Sequence, residues 1–290
     1  MDRLGEGIGL AVMLLLLART TPLGVADDGD DAGFEKLPPP KPGEWLYVHK
    51  EPGQSFEQYK RDCLNRKTTE RNVIYIQPFG GIFETQTELV RTLREFLSIY
   101  FDSKAQILKP IPLPKKAFHP KRRFGWDQHD ADYLLRVLQG RGGSNALAIA
   151  GITDQDLFYR DMNFVFGLGS FGSRTGVYSI HRYSATYPGQ PEDITLLKRT
   201  LKVANHEIGH IFGMDHCVRY KCTMNGSNSL PESDSRPIHL CPSCLKKLQW
   251  NLGFDPIERY RKLRDFYARI GQKGDAEFLT KQIDRLRRGR

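Results

Sequence analysis

This sequence has no apolar stretch long enough to cross a bilayer, which takes about 20 residues, and only one sizeable apolar run, near its start. That run, IGLAVMLLLLA from Ile8 to Ala18, is too short to span one and fits the core of an export signal. Nor is there an internal repeat of solenoid period, or the interleaving of aromatic and basic residues usual on nucleic-acid-binding surfaces. Composition is free of extremes, with 39% hydrophobic, 27% charged and 11% aromatic residues, so neither wholesale disorder nor a membrane protein is indicated. What remains is a globular chain of 290 residues, enough for one large domain with added elements or for two small ones.

The formal net charge of +9 would attract anionic surfaces or acidic substrates. Much of it is local, because Asp255 to Arg290 holds eleven Lys and Arg against six acids, and a solvated basic helical face explains that bias. At the other end, Gly24 and Ala26 occupy the −3 and −1 positions of a cut before Asp27, so residues 1–26 read as a signal peptide. Asp2 and Glu6 make the leading region less positive than a good signal. Export to a periplasm or the exterior is the expectation; a cytoplasmic protein with a buried or interfacial N-terminal helix is the alternative.

Residues 27–44, acidic and then proline-rich, cannot bury enough apolar surface to order themselves and read as a flexible tether. The folded part starts near Trp45. Asn72 to Phe79 reads as a strand, and Glu84 to Phe101 as a helix with Leu89, Leu93, Phe96, Leu97 and Tyr100 at helical spacing. A short strand at KAQILKP, a helix ending at Gly140 and a buried strand at NALAIAGI follow. Asn163–Gly169 and Gly176–Tyr183 read as two further strands, and a helix is expected from about Ile194 to Phe212. Strands alternating with helices predict an α+β (α/β-like) architecture, a mixed sheet with helices packed on it, over 45–254. Two amphipathic helices are expected in 255–290, one with Ile257, Tyr260, Leu263, Tyr267 and Ile270 on its apolar face, the other with Phe278, Ile283 and Leu286.

The chemistry concentrates in NHEIGHIFGMDHC, Asn205 to Cys217. Residues four apart on a helix differ by about 40° beyond one turn, so His206 and His210 project together and can grip one ion. Glu207, one step round, can reach a water on that ion without being a ligand. Gly213 lets the backbone leave the helix in a left-handed conformation, so that His216 returns as a third ligand. Three imidazoles leave one tetrahedral position open, as in catalytic rather than structural zinc sites. A bare HExxH arises by accident, but five fixed positions at uniform frequency occur in only about one chain in ten thousand of this length.

Cys217, Cys222, Cys241 and Cys244 follow in the order C-x4-C, a long gap, C-x2-C. Four thiolates suit a closed zinc site; two disulfides, in any of three pairings, suit an exported chain. Cys63 stands far upstream and reads as an unpaired thiol, an inhibitory zinc ligand being the other reading.

HEIGHIFGMDHC, then VRYKCTMNGSN, then LCPSC resembles the archaemetzincins, a peptidase family of the metzincin clan. The pattern, HExxHxxGxxH joined to four cysteines and a methionine, is matched through about forty residues. The resemblance implies a metzincin-type twisted mixed sheet and two zinc ions per chain. His206, His210 and His216 would bind the catalytic ion, with Glu207 as general base and acid and Met224 as the Met-turn beneath the metal. Cys217, Cys222, Cys241 and Cys244 would hold the structural ion. The reaction implied is hydrolysis of peptide or protein substrates, aminopeptidase-like or endopeptidic on short peptides, by a monomer without a nucleic-acid partner. Asn163 to Tyr183 resembles the region that pairs with extended substrate. A basic nucleic-acid-binding zinc module and a catalytically idle zinc scaffold are the competing readings.

Overall fold

The computed structural model describes residues 33–183 and 196–288. The expected leader over 1–26, the first residues of the tether and the start of the helix expected from Ile194 lie outside them.

Two short helices, α1 (Trp45–Val48) and α2 (Phe56–Asp62), lead into β1 (Val73–Pro78). A helical turn, α3 (Ile82–Thr85), precedes α4 (Thr87–Tyr100) and β2 (Lys104–Ile107). Next come β3 (Phe118–His119), β4 (Gln128–Asp130), α5 (Ala131–Leu138), β5 (Ala146–Thr153) and β6 (Leu157–Phe158). The hairpin β7 (Gly167–Ser170) and β8 (Thr175–Ser179) leads towards α6 (Leu196–Ile211), the helix of the histidines. Then follow α7 (Leu230–Asp234), α8 (Pro242–Leu252), α9 (Pro256–Arg269) and α10 (Lys273–Arg288).

The main sheet has the order β2-β1-β5-β8-β7, parallel except for β7, which runs antiparallel to β8 at one edge. A small second sheet has the order β3-β4-β6. Every residue of β1 and β5 is buried, which is why both read as nearly continuous apolar runs: helices cover both faces of a parallel sheet. The pleat divides their side chains between two cores. Ile74, Ile76, Ala148 and Ala150 join the larger core with α4, α6 and α9, while Val73, Tyr75 and Ile149 join the smaller one with Leu134, Leu135 and Leu138 of α5.

The α+β architecture with a mixed sheet is therefore as expected, with differences in detail. The strand expected over Asn163–Gly169 begins only at Gly167. Before it the chain makes only isolated bridging contacts, such as Leu157 to Val165, and Phe164 turns to stack under the Arg182 guanidinium, 3.4 Å from its ring centroid. The second strand stops at Ser179, and His181–Tyr183 form a 3₁₀ turn. That turn carries Arg182 inward to a buried ion pair with Asp156, 2.7 Å. Of the segment read as a tether, residues 34–37 lie against the body: Lys36 bridges to Tyr220, and Leu37 N–H donates to the Arg219 carbonyl at 2.8 Å. Backbone pairing with another segment orders a stretch whose own side chains bury little. Ile257, Tyr260, Leu263 and Tyr267 of α9 are buried as expected, but α10 turns Ala276, Leu279 and Ile283 inward and leaves Leu286 38% exposed.

Candidate active site and metal centres

Helix α6 is buried from Arg199 to Ile211, so its histidines sit inside the molecule. His206 and His210 are one turn apart, and their Nε2 atoms approach to 3.0 Å. The far nitrogens are anchored: Nδ1 of His206 donates to the Thr223 carbonyl at 2.8 Å, and Nδ1 of His210 to the Met214 carbonyl at 2.7 Å. A carbonyl can only accept, so each Nδ1 must carry the proton. Burial, reinforced by the neighbouring imidazoles, makes a second proton costly; His206 is pushed down to about 3 and His210 well below its ordinary value. Both rings are thus neutral, with Nε2 lone pairs aimed at each other. That arrangement is repulsive without a cation between them, and two nitrogens on a tetrahedral zinc would stand about 3.3 Å apart.

The third ring arrives through the helix end. Gly213 has φ +85°, its N–H donates to the His210 carbonyl, and Met214 N–H reaches back to the Gly209 carbonyl. This is a Schellman closure, which needs the left-handed residue that glycine supplies. The chain then returns His216, whose ring centroid lies 4.9 Å from that of His210 and 5.4 Å from that of His206. One donor nitrogen from each of the three lies within 4.8 Å of the others, and the His216 Nε2 is buried with no hydrogen-bond partner. Its Nδ1 donates to both oxygens of Glu51, at 2.9 and 3.1 Å. Glu51 also accepts from Trp45 Nε1 at 2.8 Å, and the Trp45 indole stands edge-on to the His216 ring at 5.0 Å. Burial works to raise the Glu51 pKa, but hydrogen bonds from His216 and Trp45 outweigh it and hold the carboxyl below its ordinary range.

Glu207 is fully buried, and neither carboxylate oxygen has a hydrogen-bond partner among the described residues. Burial alone pushes its pKa well up, the direction that suits a group required to take and return a proton near neutrality. It lines a cleft with His206, Val203, Phe166 and Tyr183. Edge strand β7 packs against it so closely that a Cβ on Gly167 would lie 2.6 Å from the Glu207 carboxyl carbon. Below, Met224 is buried with its sulfur against α6; a Cβ on Gly209 would meet that sulfur at 2.4 Å.

The four expected cysteines form a second buried cluster, their sulfurs all within 4.8 Å of one another. All are free thiols, so the disulfide alternative is not realised. Cys217 and Cys241 Sγ are 3.6 Å apart, far beyond a disulfide bond but close to the edge of about 3.8 Å for a tetrahedron of zinc–sulfur bonds. The backbone N–H groups of Met224 and Cys241 point at Cys222 Sγ, at 3.5 and 3.3 Å, but burial and the neighbouring cysteines outweigh them and push the Cys222 thiol well above its ordinary range. Hydrogen bonds from Cys222, Cys241 and Cys244 hold Cys217 well below the usual thiol range. Cys63 joins neither cluster: its Sγ lies 3.4 Å from the Phe212 carbonyl and 3.2 Å from Asn251 Nδ2. The reading of Cys63 as an inhibitory zinc ligand therefore finds no geometry here.

The site also contains residues that sequence reasoning passed over, chiefly Glu51 and Trp45. Their segment, WLYVHKE, carries no spacing that announces a role, and only the fold brings it to His216.

Comparison with known proteins agrees with this geometry. A sequence model of peptidase family M54 matches residues 142–250. Archaemetzincin-2 from Homo sapiens is 35% identical over 257 residues, covering 77% of this chain and 71% of the relative. Archaemetzincin from Thermococcus kodakarensis is 38% identical over 187 residues, covering 62% of this chain and 97% of the relative. Among solved structures, archaemetzincin from Methanopyrus kandleri superposes with a TM-score of 0.54 at 30% identity, covering 65% of this chain and 99% of that one. Archaemetzincin from Archaeoglobus fulgidus, solved with malonate, gives a TM-score of 0.50 at 28% identity, with 60% and 99% covered.

Proposed function

The chain belongs to the archaemetzincins and is a zinc metallopeptidase, and on that premise we propose that it hydrolyses peptides with Glu207 as general base and acid beside a zinc held by His206, His210 and His216. A second, structural zinc would be held by Cys217, Cys222, Cys241 and Cys244. The observation that carries the reading is the convergence of three imidazoles, two of them with lone pairs forced together, beside a buried carboxylate without partners.

When bound, zinc supplies Lewis acidity, lowering the pKa of water and polarising the scissile carbonyl. The protein's own residues do the rest. Thr223 and Met214 carbonyls and the Glu51 carboxylate fix the tautomers of the three histidines, so that each offers Nε2. Glu207 accepts a proton from the attacking water; its raised affinity for that proton, a consequence of burial, equips it to deliver the proton to the leaving amine. Strand β7 lies at the sheet edge beside Glu207, where an extended substrate can add as a further strand through backbone hydrogen bonds.

Glu207→Ala tests the assignment. The variant is expected to keep the zinc content of the wild type while cleavage of a peptide library falls by at least about a hundredfold. Equal cleavage by both proteins would refute the role given to the carboxylate, and would favour an idle zinc scaffold over an enzyme working in this way.

A further inference from the structure

The cleft beside Glu207 is cationic in a way that peptide hydrolysis does not require. Lys202 lies one turn of α6 before His206, and Arg236 follows α7; both line the cleft with His206 and Glu207. Both are buried, at 7% and 9% exposure. Buried cations are normally paired, since an unpaired one loses its hydration without compensation.

Among the described residues, the acceptors that contact these two side chains are already engaged. Lys202 Nζ donates to the Ser233 and Arg236 carbonyls, which leaves one of its three N–H groups over. The carboxylate paired with Arg236, that of Glu232, stands 3.7 Å away, beyond hydrogen-bond distance. Its oxygens already accept from the backbone N–H of Trp45 at 2.9 and 3.2 Å and of Asn228 at 2.7 Å. Asp234 is held by a two-pronged contact with Arg199, at 3.2 and 2.7 Å. Arg236 Nε has no partner among the described residues. Two desolvated cations thus line the cleft with donors left over among the described residues, the Glu207 carboxylate hydrogen-bonding to neither, while Phe166, Val203 and Tyr183 supply apolar wall.

We infer that this cleft receives a carboxylate side chain, so that the enzyme prefers substrates with glutamate or aspartate next to the cleaved bond. The inference rests on the peptidase reading above and adds the class of substrate. The apolar wall of Phe166, Val203 and Tyr183 would pack on the methylenes of an acidic residue, and Lys202 and Arg236 supply the charge-assisted donors that its carboxylate needs. A leucine there would leave the spare donors of both cations buried without an acceptor; a lysine would be repelled.

The test uses the zinc-loaded full chain and matched peptides carrying Glu, Gln, Leu or Lys on either side of one bond. The expected result is a kcat/KM for the Glu peptide about tenfold or more above that of its Gln twin, on one side of the bond. The ratio should fall to near one in Arg236→Gln and decrease in Lys202→Met. Zinc-loaded Glu207→Ala, mixed with the same Glu and Gln peptides, reads binding without turnover and should hold the Glu peptide more tightly. Cleavage without acidic preference would overturn the inference and leave the peptidase reading standing. Tighter Glu binding without any cleavage by the wild type would do the reverse. Should Arg236→Gln fail to fold, the wild-type Glu-to-Gln ratio decides alone, and a ratio of one overturns the proposal.

Discussion

His216 differs from its two companions in what holds its far nitrogen. His206 and His210 donate to backbone carbonyls, whereas His216 donates to an ionised carboxylate, that of Glu51. A carboxylate partner fixes the ring's tautomer and aim, and such partners are worth about 10- to 100-fold in metal affinity. Glu51→Gln should therefore weaken zinc binding by that range, read by competition with a chromophoric chelator, because glutamine keeps a neutral acceptor but not the charge. Undiminished affinity would show that Glu51 is only a neighbour. The three ligands could be read from the sequence because all lie within eleven positions of one helix and its return. Glu51 could not, since 165 residues separate it from His216 and nothing local marks it.

Helix α6 and edge strand β7 hold between them the carboxylate of Glu207, the proposed base. The glycine at 167 brings β7 against Glu207, and a methyl group there would collide with the carboxyl carbon at 2.6 Å. Gly167→Ala is expected to displace Glu207 while leaving the histidines in place, since these are anchored from the other side by Thr223, Met214 and Glu51. Turnover should drop by about a hundredfold, the scale of a misplacement near 1 Å, with zinc content unchanged. Loss of zinc together with activity would mean that β7 supports the whole site and not Glu207 in particular. Helix α4 was legible because burial on one face imposes a period, and β1 and β5 because burial on both faces makes a short, nearly continuous apolar run. The stretches at 163–166 and 181–183 were not, because Phe164 and Arg182 are turned by their contacts with each other and with Asp156. Those contacts are tertiary, and residues with high strand propensity bend to meet them. The solvent-facing Leu286 was misread for a related reason: helical spacing names a stripe, not the partner that covers it.

Across the whole molecule, the two candidate metal centres share one loop. Cys217 follows His216 directly, its N–H donates to the Met224 carbonyl at 2.8 Å, and Asn225 Nδ2 donates to the carbonyls of Cys217 and Tyr220 at 2.6 and 2.9 Å. The segment that closes the four-cysteine cluster is thus the one that presents the third histidine, the Thr223 carbonyl and the methionine floor. Helices α9 and α10 extend the larger core behind it: Arg259 Nε donates to the Tyr100 carbonyl at 2.6 Å, and Phe266 packs on Phe96. At the other end, residues 34–51 reach across to the loop and to His216. Because the donor sets differ, nitrogen in one and sulfur in the other, metal occupancy of each can be counted separately. Native mass spectrometry of the purified chain provides that count. Two zinc ions are expected in the wild type and one in His210→Ala, with the ion that remains resistant to a chelator because four thiolates enclose it. A wild type with a single ion, or a His210→Ala variant that still carries two, would contradict the assignment of a zinc to the three histidines.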